Sequence, residues 1–174
     1  MQRLLWKVIA SYLLFCTPAA WAQGSASTQL PYRLLTAHAG YIFKGTVISV
    51  QHSQPAGGIA AVQVDFRVDQ GVRNAVSGKT LTIREWAGLW EAGERYRVGE
   101  RLILFLYPKS GLGLTSPVGG PMGHLNVDER DQISLPQSWR FAPNRESLPS
   151  ARQSTSHSVG SHDFLRLIAR MAEE

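Results

Sequence analysis

Hydrophobic and polar residues alternate most cleanly over residues 61–69 (AVQVDFRVD), where Val62, Val64, Phe66 and Val68 are separated by Gln63, Asp65 and Arg67 and followed by Asp69. A period of two puts one set on each face of a strand, so this segment predicts a strand with one buried and one wet face. Such a strand belongs in an antiparallel sheet, because parallel sheets are covered on both faces. Residues 40–51 (GYIFKGTVISVQ) are rich in β-branched and aromatic side chains and predict the strand before it, with Gly45 as a bulge or sharp bend. Residues 52–58 (HSQPAGG) are a turn between the two. Residues 79–86 (KTLTIREW) predict a third strand. Residues 101–107 (RLILFLY) do not alternate: every position after Arg101 is apolar, which predicts the most buried strand, ended by Pro108.

Two helical patterns frame these strands. Residues 31–39 (PYRLLTAHA) predict a short helix with Leu34 and Leu35 facing inward. Residues 161–174 (SHDFLRLIARMAEE) predict a longer one, with Phe164, Leu167, Ile168 and Met171 on a single face. Ser161 is placed to cap that helix, and Asp163 suits its positive N-terminal end. The apolar stripe is expected to pack on the sheet. Residues 110–123 (SGLGLTSPVGGPMG) are dense in glycine and proline and predict an irregular rim with a short strand at 112–115. Residues 123–127 and 132–135 predict a hairpin around 128–131. Residues 136–160 are polar and contain proline and serine, which predicts a linker with Trp139 and Phe141 as docking points.

Together these elements predict a mainly β chain: a small antiparallel five-stranded barrel over residues 23–135, the linker, and a C-terminal amphipathic α-helix over 161–174. The first 22 residues stand apart. Arg3 and Lys7 precede a short apolar run, and Ala20-Trp21-Ala22 offers the small residues of a signal-peptidase site, so cleavage is expected before Gln23. The apolar run is shorter than the roughly 20 residues a membrane span needs. The protein is expected to be periplasmic or secreted, with no membrane span after cleavage. Its one cysteine, Cys16, lies inside the leader, so disulfides, cysteine catalysis and thiolate metal ligation are all excluded from the mature chain.

The 174-residue chain carries a formal net charge of +5, part of which leaves with Arg3 and Lys7. The remaining Lys and Arg residues are interleaved with acids, as in Arg84-Glu85, Glu94-Arg95 and Glu100-Arg101. That mixing predicts a solvated surface and argues against nucleic-acid binding, which favours a basic stripe.

Three stretches carry a resemblance. The opening strand (AGYIFKGTVISV), the second strand running into a short loop (VQVDFRVDQGV) and the phrase VGERLILFL resemble the netrin-like domains, which include the tissue inhibitors of metalloproteases. The resemblance implies an OB-type five-stranded barrel with flanking helices. The inhibitors of that family act through an N-terminal cysteine that chelates the protease zinc, and no cysteine survives here. No inhibitory site is therefore carried over.

Catalytic patterns are not evident. His38, His52, His124, His157 and His162 are scattered, without the paired spacing of a zinc site. Ser161-His162-Asp163 holds the letters of a hydrolase triad, but consecutive residues cannot meet as nucleophile, base and orienter. The glycine-rich stretch lacks the Gly-Lys-Ser/Thr ending of a phosphate loop. No metal, cofactor or catalytic residue is expected. The cluster of interest is Trp86, Trp90, Arg95, Tyr96 and Arg97, because Trp, Tyr and Arg are the residues enriched at binding hot spots. It predicts an exported, non-enzymatic module that grips a protein partner, such as a protease, through this loop and the rim at 111–123. The alternatives are a metal-dependent or hydrolytic enzyme using His38, His124 or His162, and an envelope-associated structural protein.

Overall fold

The computed structural model describes residues 31–54, 58–91, 93, 95–136 and 156–173. The leader with Cys16, and Trp139 and Phe141, lie outside the described residues. In chain order the elements are α1 (Pro31–His38), β1 (Tyr41–Ser53), β2 (Ala61–Arg73), β3 (Thr80–Trp86), β4 (Arg101–Leu106), β5 (His124–Asn126), β6 (Gln132–Pro136), β7 (Ser156–Gly160) and α2 (Ser161–Ala172). Short 3-10 turns at Ala87–Trp90 and Gly120–Gly123 follow β3 and precede β5.

Five strands form one antiparallel sheet in the order β3-β2-β1-β4-β5, and β6 pairs with β7 in a separate ribbon. The alternation in β2 is realised as read: Val62, Val64, Phe66 and Val68 are buried while Arg67 and Asp69 are exposed. β4 is buried from Leu102 to Leu106. Leu102, Leu104 and Leu106 pack with Phe43, Phe66 and Ile83 on the concave face. Ile103 and Phe105 pack with Ile42, Phe164 and Ile168 beneath the helices on the other. A strand covered on both sides has no wet face to mark with polar residues, which is why its sequence does not alternate. Gly45 sits at a shift in the β1–β2 register, where a Cβ would stand 2.8 Å from the Arg67 carbonyl oxygen.

The expected closure into a barrel is not made by strand pairing. β5 is only three residues long, and no ladder joins it to β3. The gap is crossed by the stretch after β4, where the Thr115 N–H donates to the Arg84 carbonyl at 2.8 Å. That stretch is too rich in proline and glycine to extend a ladder. Residues 110–114 form a turn with Gly113 at φ +72° where a short strand is expected. The turn expected around 128–131 is present, with Asp131 at φ +61°, but its arms meet only at the isolated Val127–Ile133 bridge, because β5 pairs with β4 and β6 with β7.

The helices differ from expectation in detail. In α1, Leu35 is buried but Leu34 is 59% exposed, because the inward stripe is Tyr32, Leu35, Thr36 and Ala39. In α2, Leu165 joins Phe164 and Ile168 as fully buried, and Leu167 and Met171 flank them. Ser161 does not cap this helix. It is the first helical residue, and its hydroxyl donates to Asp131 Oδ2 at 2.6 Å. The same carboxylate accepts from Lys44 Nζ at 3.0 Å and Arg101 Nη2 at 2.6 Å, so one clasp joins β1, β4, the β5–β6 turn and α2. At the other end of the helix, Arg73 Nη2 donates to the Ala172 carbonyl, and Arg73 Nη1 donates to Thr36 and Ala39. One guanidinium thus meets the negative C-terminal ends of both helices. Residues 156–160, placed in the expected linker, are strand β7 and lead straight into α2.

Candidate functional site

The alternation of β3 decides the chemistry of the loop that follows it. Leu81 and Ile83 face the concave core, and two residues further on the same face carries Glu85. Glu85 is fully buried. The chain then turns at Ala87–Trp90, with the Ala87 N–H donating to the Ala60 carbonyl, and folds back over the end of the sheet.

Three loop side chains converge on the Glu85 carboxylate. Tyr96 Oη donates to Oε1 at 2.8 Å, and Trp90 Nε1 donates to Oε2 at 3.1 Å. Arg95 Nε lies 3.2 Å from Oε2, but its N–H has no aligned acceptor, so that contact is a charge pair without a hydrogen bond. Burial pushes the Glu85 carboxyl above its ordinary value, against the opposing pull of Arg95 and the hydrogen bonds from Tyr96 and Trp90. Burial and then the adjacent Glu85 charge push the Tyr96 hydroxyl well up, so it stays a donor at physiological pH.

The aromatic rings around this carboxylate pack edge to face, except that Trp90 and Tyr96 are tilted at 57° to each other. Tyr96 stands perpendicular to Phe66 at 5.5 Å, and its centroid is 5.6 Å from that of Trp90. His52 of β1 lies edge-on to Trp90 at 5.7 Å, and His124 of β5 lies 5.1 Å from Tyr96. His124 Nε2 is buried without a partner, and burial lowers the affinity of this imidazole for its second proton.

The candidate residues therefore divide. Trp90 and Tyr96 are buried and locked, and Arg95 is a quarter exposed. Trp86 is 52% exposed, and its indole leaves no room for a Cβ at Gly88. Arg97 is exposed. Trp90, Tyr96 and Arg97 line one cleft of about 480 Å³ with Val50, His52 and Val98. Trp86 and Arg95 do not line it. A larger cleft of about 570 Å³ lies between β5 and β6, with His124, Asn126, Gln132 and Ser134 among its walls. The smaller cleft is the better candidate, because it has aromatic walls, a cationic rim and a fixed backing. The rim at 111–123 contributes nothing to it.

Glu85 is the residue that sequence reasoning missed. Its place in a run of alternating acids and arginines suggested a solvated surface, whereas the period of two through Leu81 and Ile83 points it inward. His52, treated as part of a turn, lies in β1 and lines the cleft.

The triad letters do not assemble. Ser161 is buried against Lys44 and Asp131, and Asp163 pairs with Arg166 on the surface. No group of three or more His, Cys, Asp or Glu side chains among the described residues is placed to hold a metal. No helix among them is long and apolar enough to cross a membrane. Comparison with known protein families, curated proteins and solved structures finds no match for this chain.

Proposed function

We propose that this chain is a non-enzymatic binding module of an exported protein, and that it receives a segment of a protein partner in the cleft between β1 and the 90–98 loop. The observation that carries the reading is that Trp90, Tyr96 and Arg97 line one concave surface whose two aromatic walls are tied from behind to Glu85. Aromatic side chains held rigid before contact lose little entropy on binding, which is the economy of a preorganised binding face. Val98, 68% exposed at the mouth, offers apolar area to a partner. The expected leader supplies the setting, and an exported protease is one partner of the right kind. The likeness to netrin-like domains supports the reading at the level of strand pattern alone.

The test is capture from the exported fraction of the source cells on the immobilised chain. A protein retained by the wild type should be lost with Arg97→Glu and with Val98→Asp, and kept with Leu34→Asp, a substitution at an exposed position of α1. Equal retention by all four chains would remove the cleft from the binding surface.

A further inference from the structure

The Glu85 ring has a property that its geometry imposes. A carboxylate offers only acceptors, and among the described residues its three polar side-chain partners answer with donors: Trp90 Nε1, Tyr96 Oη and Arg95 Nε. A protonated carboxyl brings a donor of its own. Indole and guanidinium cannot accept it, so within this ring the Tyr96 oxygen is the one acceptor. To accept, the Tyr96 hydroxyl must turn its own proton away from Glu85. The buried, unpartnered Nε2 of His124 belongs to the ring that packs against Tyr96 at 5.1 Å. Arg95, a quarter exposed, loses its counter-charge at the same moment and has a path to water.

We propose that Glu85 is the positioning residue of the cleft: ionised, it holds Trp90, Arg95 and Tyr96 in the arrangement that shapes the walls, and on taking up a proton it releases Arg95 and turns the Tyr96 hydroxyl, so the cleft changes shape in mild acid. This rests on the reading of the cleft as the binding site. Among the described residues, the titratable and charged groups around the ring are His52 on β1, Arg95, Tyr96 and Arg97 on the loop, His124 on β5, and Glu100, which acts on His124. The upward displacement of the Glu85 carboxyl places the change above the ordinary glutamate range.

A general acid unfolding would not look the same. An acid held above its ordinary value binds its proton more tightly in the folded than in the unfolded chain, so the Glu85 transition by itself favours the fold as pH falls. The cleft should change while global stability is retained.

The experiment follows the wild-type chain by NMR from about pH 8 to about pH 4, the span around the histidine and glutamate ranges. The signals are the Glu85 carboxyl carbon, the Trp90 indole N–H, and the backbone amides of His52, Arg97 and Val98. All should share one midpoint above the ordinary glutamate range, and the thermal midpoint should not drop across it. In Glu85→Gln the shared transition should vanish. Should that variant fail to fold, Tyr96→Phe removes the turning hydroxyl and should displace the Glu85 midpoint further upward. A Glu85 midpoint at its ordinary value, cleft amides that do not follow it, or a transition that persists in Glu85→Gln would each overturn the proposal. No partner enters the measurement, so its failure is distinct from a failure of partner capture.

Discussion

Two carboxylates organise this molecule, and they do so under opposite conditions. Glu85 draws Trp90, Arg95 and Tyr96 from the loop that follows it, whereas Asp131 gathers Lys44, Arg101 and Ser161 from far along the chain, and each carboxylate ties strands to what lies beyond them. Glu85 is wholly enclosed by rings, while the Asp131 side chain keeps 38% of its exposure. Burial raises Glu85 past what its partners can restore. For Asp131, burial also raises the carboxyl, but the hydrogen bonds from Ser161, Lys44 and Arg101 and the Lys44 charge together carry it below its ordinary value. The same motif is therefore a pH-sensitive anchor in one place and a stabilising clasp in the other. Water access, more than the number of partners, sets the sign.

The sharpest way to break the contrast is to delete each carboxylate. Glu85→Ala leaves the Trp90 and Tyr96 donors buried without an acceptor and opens a gap in the concave core. The expected loss is about 3–5 kcal/mol in denaturant unfolding, the cost of breaking a buried charged cluster. A loss under about 1 kcal/mol would mean that water reaches the ring. Asp131→Ala should cost less, about 1–2 kcal/mol, because its charged hydrogen bonds are discounted for exposure. A loss equal to that of Glu85→Ala would erase the distinction.

The pH dependence sharpens the comparison next. The Asp131 carboxyl lies below its unfolded value, so its stabilisation is complete above that value and is lost as pH falls through the lower, folded one. Glu85 works in reverse: its contribution favours the fold at low pH and fades as pH rises through the raised value. Unfolding free energies measured against pH should show the gap between wild type and Asp131→Asn narrowing in acid. The difference between wild type and Glu85→Gln should move in favour of the wild type over its own, higher window.

The smallest effect is expected at the exposed end of the loop. Trp86→Ala removes a half-exposed ring that lies over Gly88, and the unfolding free energy should change by about 1 kcal/mol or less. A larger loss would show that Trp86 closes the core as Trp90 does.

Much of the frame was legible in residue patterns. The alternation of β2, the unbroken apolar run of β4, the bulge at Gly45 and the amphipathic α2 are each carried by neighbours in the chain. The candidate site was half legible. Trp90, Tyr96 and Arg97 could be picked out by residue type, and the alternation of β3 turns Trp86 outward, but nothing local shows that Trp90 is locked against Glu85. β7 escaped notice because five residues of serine, histidine, valine and glycine form a strand only when β6 is beside them.

By itself, the sequence determined both helices and the strands with a strong apolar pattern, β1 to β4, and which of their faces would seek cover, because those choices depend on spacing along the chain. Only the tertiary structure decided that the inward-pointing Glu85 would meet Trp90, Arg95 and Tyr96 while Asp131 stayed partly wet, that Ser161 would serve a clasp in place of a cap, and that the sheet would stay open. The energy of a charge depends on the dielectric and the donors around it, and these come from β1, β4, α2 and a returning loop that no local pattern brings together.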